Sequence, residues 1–187
     1  AIPFYLAHPR LAALERRQMH EVEGGNARWL QRILRHETGH ALDNAYRFRL
    51  RKRWRQVFGP ASRPYPIRYA PRTTSRNYVM HLGHWYAQSH PSEDFAETFA
   101  VWLAPNSTWR VDYEHWHALR KLRYVDELMA EVRGAPPPVR RKSRIEPLEM
   151  NRSTLREHYA EKLSYSDRTE TERYDKRLQR VFAPSAQ

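Results

Sequence analysis

The chain has 187 residues, enough for one domain with a sizeable core, and its 40% hydrophobic and 12% aromatic content excludes a disordered chain despite thirteen prolines. It contains no cysteine, which excludes disulfides and thiolate ligands, so any zinc has to be held by histidine and carboxylate. A net charge of +12 raises nucleic acid as a partner, yet only five of the thirty-three basic residues are lysine, a bias that genomic base composition can produce without selection for phosphate contact.

Taken in chain order, Ile2-Pro3-Phe4-Tyr5-Leu6 is a short apolar run closed by His8-Pro9 and reads as a strand. Leu11 to Glu23 reads as a helix that stops at Gly24-Gly25. Asn26 then caps a longer helix, in which Leu30, Ile33, Leu34, Ala41 and Ala45 recur at helical spacing. That helix contains Leu34 to Phe48, L-R-H-E-T-G-H-A-L-D-N-A-Y-R-F, with His36-Glu37-Thr38-Gly39-His40 at its centre. Histidines four apart stand one turn apart on one helix face, so both imidazoles can reach one metal ion while Glu37, between them, addresses its bound water. This is zinc-hydrolase chemistry. The plain structural alternative is a surface helix whose two histidines and glutamate are solvated.

The densest basic run, Arg47 to Arg55, continues from this helix and reads as a solvated face in preference to a nucleic-acid site. Residues 59 to 78 hold four prolines and no sustained period, the pattern of a long ordered loop that serves as a lid, a substrate wall or a plain surface wrap. Tyr86 to Leu103 leads into another helix, with Pro91 in its first turn, Glu93 and Asp94 after it, and Pro105 as its stop. Phe95, Phe99 and Leu103 form one apolar row. Glu93 and Glu97 share another face, and two carboxylates on so apolar a helix need partners that a metal and its ligand histidine would supply. An acidic edge at a helix N-terminus explains them as well.

H-E-x-G-H-A-x-D over 36–43, followed some fifty residues later by E-x-F-A-E-x-F over 93–99, resembles the gluzincin metallopeptidases, in particular the Pro-Pro endopeptidase and lethal-factor-like branch. The chain also resembles, along most of its length, the bacterial group named putative zinc-binding metallopeptidases. The resemblance implies that Glu93 is the third zinc ligand beside His36 and His40. It implies too that Tyr86, seven residues before Glu93, assists the oxyanion. Helical spacing alone leaves Glu93 and Glu97 equally able to reach the ion. The chemistry agrees: two imidazoles and one carboxylate leave zinc an open position and an acidified water, Glu37 takes that proton, and Glu97 can receive the free N–H of a ligand histidine. Zincins place a strand before their active-site helix, so the resemblance also suggests an edge strand pairing with substrate.

His81, His84 and His90 lie near Tyr86 and can line a cleft, His90 can instead cap the helix, and His115 and His117 fall on different helix faces. None of them is assigned to metal. Ser107 to Arg133 reads as a helix with Trp116, Leu119, Leu122, Val125 and Met129 as its core-facing row, ending at Gly134. Residues 135–138 are a stiff spacer, 139–144 a basic run; Thr154 and Glu157 form a capping box, and Tyr174, Leu178 and Val181 mark another helix.

The expectation is therefore a helix-rich α+β, zincin-like domain over 1–134, with a small N-terminal sheet and an active-site helix, followed by a basic helical arm over 135–187. It is expected to hydrolyse peptide bonds in a peptide or protein substrate with one Zn2+ ion. The alternative is a basic nucleic-acid-associated protein with a structural or vestigial zinc site, against which an intact Glu37 speaks. No apolar run approaches the roughly eighteen residues of a membrane span and no charged-then-apolar leader opens the chain, so the cytoplasm is the expected location.

Overall fold

A computed structural model describes residues 2–67, 69–140, 150 and 152–164. Among these residues every regular element is helical and no strand or sheet occurs, which corrects the expected α+β class and its N-terminal sheet. The run read as a strand is a 3₁₀ turn, Phe4–Ala7, with Leu6 N–H bonded to Pro3 C=O. A short apolar run does not distinguish the two states. Here Leu6 turns inward: its side chain and that of Ile33 fill the space beside Gly24, where a Cβ would come within 2.9 and 3.1 Å of them, and Gly24 has φ +74°.

Two compact units are present. The first comprises Ala1–Leu6 and Glu23–Arg141. Its long helix α2 (Ala27–Tyr46, numbered after α1 below) starts at Asn26, whose side chain accepts from Trp29 N–H, and ends where Arg47 adopts the left-handed conformation. Phe48 is thereby carried into the core through a 3₁₀ turn, and the basic run resumes as a separate helix, α3 (Lys52–Phe58), so it does not extend α2. After the loop, α4 (Pro91–Trp102) is capped by His90, with Pro91 at its first turn. The segment read as one helix over 107–133 is two, α5 (Trp109–Asp112) and α6 (Leu119–Val132). They part at Ala118, whose N–H is taken by Arg76 C=O of the loop.

The core lies on one side of α4. Phe95 is fully buried among Phe48, Trp54 and Phe58, with ring centroids at 6.0, 5.9 and 5.4 Å, and Phe99, Tyr124, Val125 and Leu128 complete the cluster. Each buried aromatic contributes a few kcal/mol, and each ring pair about 0.5–1.5 more. Val79 joins a second cluster with Trp109, Ala118 and Leu122, which pins the middle of the loop. Side chains satisfy further backbone groups of the loop: Gln88 bonds both N–H and C=O of Arg72, and Lys121 Nζ donates to Asn77 C=O at 2.6 Å.

The second unit joins α1 (Pro9–Met19) to the described part of Lys142–Gln187. Helix α1 ends at His20, left-handed at φ 62°, four residues before the expected glycine stop. In the helix at 155–164, which opens with the reciprocal Thr154–Glu157 capping bonds, Tyr159 and Lys162 both donate to the buried Glu15 of α1. The expected helix around Tyr174, Leu178 and Val181 lies outside the described residues.

Helices α2 and α4 cross closely at Gly39, where an added Cβ would lie 3.0 Å from Ala96 Cα and 3.2 Å from two Phe99 atoms. The obstacle is helix backbone, so α4 must move as a body. Gly39→Ala gains about 1 kcal/mol of helix propensity but incurs about 1–3 kcal/mol of overpacking. Denaturant unfolding is expected to show the variant less stable by up to about 2 kcal/mol. A more stable variant would mean that α4 yields freely at this contact.

Candidate metal centre

The face of α2 that meets α4 carries His36 and His40 one turn apart, and the facing side of α4 carries Glu93 and Glu97 at the same spacing. His36 is 3% exposed and is held at both ring nitrogens. Its Nδ1 donates to Glu97 Oε1 at 2.9 Å, and its Nε2 lies 3.1 Å from Glu93 Oε2. His40 Nε2 lies 3.0 Å from His36 Nε2 and 3.1 Å from the same Glu93 oxygen. The three atoms form a nearly equilateral triangle, and these residues form a group able to hold a metal ion.

The donor chemistry fits zinc. With its proton on Nδ1, neutral His36 points a lone pair from Nε2 at a carboxylate oxygen and at a second imidazole nitrogen, a convergence that a bound cation relieves, as does a proton on Nε2 in metal-free protein. Tetrahedral zinc with bonds of about 2.0–2.1 Å spaces its ligand atoms about 3.3–3.4 Å apart, so the triangle needs to open by only a few tenths of an ångström. Glu97 is wholly buried, and its second oxygen accepts from Leu82 N–H at 2.9 Å, which fixes the carboxylate that in turn fixes the His36 ring.

Electrostatics point the same way. Burial disfavours the imidazolium, but the hydrogen bonds to Glu93 and Glu97 outweigh it and raise His36 to about 9. Burial likewise opposes the Glu93 carboxylate, and His36, His40 and Tyr65 outweigh it, holding that group well below the ordinary carboxylate range. The two shifts are the two sides of one His36–Glu93 pairing, in which a proton on His36 balances the carboxylate of metal-free protein.

Glu37 is half-buried on α2. Tyr86 begins a 3₁₀ turn, Tyr86–Gln88, and its ring centroid is 5.8 Å from that of His36. Burial first, then the charge of Glu93, push its phenol up to about 12, with Glu37 among the further contributors, so the hydroxyl stays a donor at neutral pH. The two residues before it, His84 and Trp85, are both left-handed, at φ 60° and 52°, a strain of about 1–2 kcal/mol each at the entrance to the turn.

The remaining histidines have other work. His81 Nε2 donates to Arg32 C=O at 2.9 Å, His90 caps α4, and His84, His115 and His117 are exposed. Sequence reasoning missed Tyr65, whose hydroxyl donates to Glu93 Oε1 at 2.6 Å from inside the Pro-rich loop. The available signal was an aromatic held between Pro64 and Pro66. It also missed Lys121, buried and paired at 2.6 Å with Asp94, the residue after Glu93. Within the basic run, Arg49, Arg51 and Arg53 pair with Asp43, Glu131 and Glu127, so much of its charge is compensated inside the protein.

The model of a family described as putative zinc-binding metallo-peptidase matches residues 8–128, and the chain belongs to that family. No curated protein and no solved structure matches it. Among the described residues no helix is long and apolar enough to cross a membrane.

In metal-free protein the raised His36 pKa means that the folded state binds the proton more tightly than the unfolded state. Its stabilisation is fully present below about 6.5 and is lost as pH rises through about 9. Asp94, which burial raises to about 7 against the opposing Lys121 charge, has completed most of its own change below that window. Unfolding of chelator-stripped protein is expected to show wild type losing up to about 3 kcal/mol relative to His36→Gln between pH 7 and 9.5. Parallel profiles for the two proteins would contradict the protonated centre.

Proposed function

We propose, from that family membership, that the chain is a gluzincin-type zinc metallopeptidase that hydrolyses peptide bonds in peptide or protein substrates. The observation that carries this reading is the convergence of His36 Nε2, His40 Nε2 and Glu93 Oε2 at 3.0–3.1 Å on the same helix turn as Glu37. These three residues would hold the ion. Zinc in such a site supplies Lewis acidity and lowers the pKa of water towards about 7. Glu37, a half-buried carboxylate beside the ligands, takes the proton of the attacking water and returns it to the leaving amine. Tyr86 donates its phenol proton in a hydrogen bond to the oxyanion that develops on the scissile carbonyl. Glu97 acts through His36, keeping the proton on Nδ1 and the lone pair of Nε2 directed into the centre.

The general base is tested by Glu37→Gln, which preserves shape and removes proton acceptance. Zinc content is expected to stay at the wild-type level while hydrolysis of a denatured protein mixture falls to near background, as it does in wild type with a chelator. Substantial residual hydrolysis would remove Glu37 from the mechanism.

The two carboxylates of α4 separate by degree. Glu93→Ala leaves two imidazoles and is expected to abolish tight zinc binding. Glu97→Ala removes an orienting partner and is expected to weaken affinity or activity by about 10- to 100-fold. Chelator-competition titrations give the order, and the reverse order would exchange the two assignments.

A further inference from the structure

The two oxygens of Glu93 are treated differently. Oε2 faces both histidines, whereas Oε1 accepts from Tyr65 at 2.6 Å, the short distance of a phenol bonded to a charged carboxylate. Tyr65 is 58% exposed, so apolar burial does not account for its position. Its place is built from polar and stacking contacts. The ring lies on the His90 imidazole with centroids 3.8 Å apart and planes 12° from parallel. His90 is fixed at both nitrogens: Nδ1 accepts from Ser92 N–H at 3.1 Å as the cap of α4, and Nε2 donates to Arg63 C=O at 2.7 Å. A single neutral tautomer satisfies both bonds. Pro64 and Pro66 restrict the backbone on either side of Tyr65. The circuit therefore closes on itself, from Arg63 through His90 and Tyr65 to Glu93, and returns to His90 through the first turn of α4.

A carboxylate with both oxygens available can bind an ion through one or through both. The second mode occupies coordination space that an attacking water and a substrate carbonyl require. We propose that Tyr65 is a positioning residue that holds Glu93 as a one-oxygen ligand and so keeps the coordination sphere open. This inference rests on the metal-centre reading above and adds to it a residue from outside both ligand helices. Glu97 orients a histidine ligand through its Nδ1; Tyr65 orients the carboxylate ligand through its spare oxygen.

Tyr65→Phe keeps the ring stacked on His90 and deletes only the donor. Two measurements are made on wild type, Tyr65→Phe and His36→Ala. One is zinc affinity by chelator competition, and the other is the visible absorption of the cobalt(II)-loaded protein, which is intense for four-coordinate and weak for five- or six-coordinate cobalt. Tyr65→Phe is expected to bind zinc about 10- to 100-fold more weakly than wild type and to lose cobalt band intensity as Glu93 engages its second oxygen. A merely structural role for Tyr65 would not alter the coordination number. A cobalt spectrum identical to wild type, with or without weaker binding, overturns the proposal. If wild type holds zinc and cobalt no better than His36→Ala, the metal-centre reading itself fails, and the Tyr65 assignment falls with it.

Discussion

The centre depends on the separation between α2 and α4 where Gly39 meets Ala96. Side chains of two or three rotatable bonds cannot make up for a distant helix, so His36 and Glu93 converge only if the two backbones approach closely. With a position for Cβ only 3.0 Å from Ala96 Cα, the glycine inside the histidine motif permits that approach. It sits one residue before His40 and opposes a stretch of α4 that begins between Glu93 and Glu97. The same crossing brings Phe99 against Gly39, so the aromatic cluster and the polar centre are two sides of one helix packing.

Helix α4 buries three carboxylates within five residues, a costly arrangement unless each has a partner. Glu97 has His36 Nδ1 and Leu82 N–H, and Asp94 has Lys121, whose own charge burial disfavours. Glu93 has Tyr65 on one oxygen; its other oxygen, among the described residues, meets the imidazole nitrogens of His36 and His40. Glu97 and Asp94 are thus compensated by a histidine, a backbone N–H and a lysine, while Oε2 of Glu93 faces the two imidazole nitrogens with which, on the reading proposed above, it would share a cation. That asymmetry favours Glu93 over Glu97 for the proposed ligand role, where spacing alone does not choose because the two lie on the same helix face.

Helices α2 and α4 were legible because their signals are local. Asn26 and His90-Pro91 mark their starts, apolar spacing marks their inward faces, and the histidine pair and carboxylate pair each recur at one helical turn. What was not legible depends on contacts far apart in the chain. Ile2 to Leu6 carries an apolar run that either a strand or a turn would use, and the seat beside Gly24 and Ile33 decides it. The interruption between α5 and α6 arises because Arg76, some forty residues upstream, takes the N–H of Ala118. Tyr65 was invisible as a site residue for the same reason, since its relation to Glu93 exists only once His90 has anchored the loop.

The loop between α3 and α4 divides into two parts of different strength. Residues 76–82 are pinned by buried groups: Val79 in an apolar cluster, Lys121 under Asn77, and Leu82 on Glu97. Arg63, Tyr65, Tyr69 and Arg72 are tied to His84, Gln88 and His90 by individual hydrogen bonds and one ring stack, and Ile67, two residues after Tyr65, is 97% exposed. Such bonds contribute about 1 kcal/mol each, so this part is held less strongly than the helices are. The histidines, Glu37 and Glu93 belong to α2 and α4, whose crossing does not depend on those bonds. Tyr65 belongs to the more weakly held part, and Tyr86 to the short turn against which that part rests. The candidate centre therefore combines groups fixed by helix packing with tyrosine hydroxyls placed by more weakly held chain.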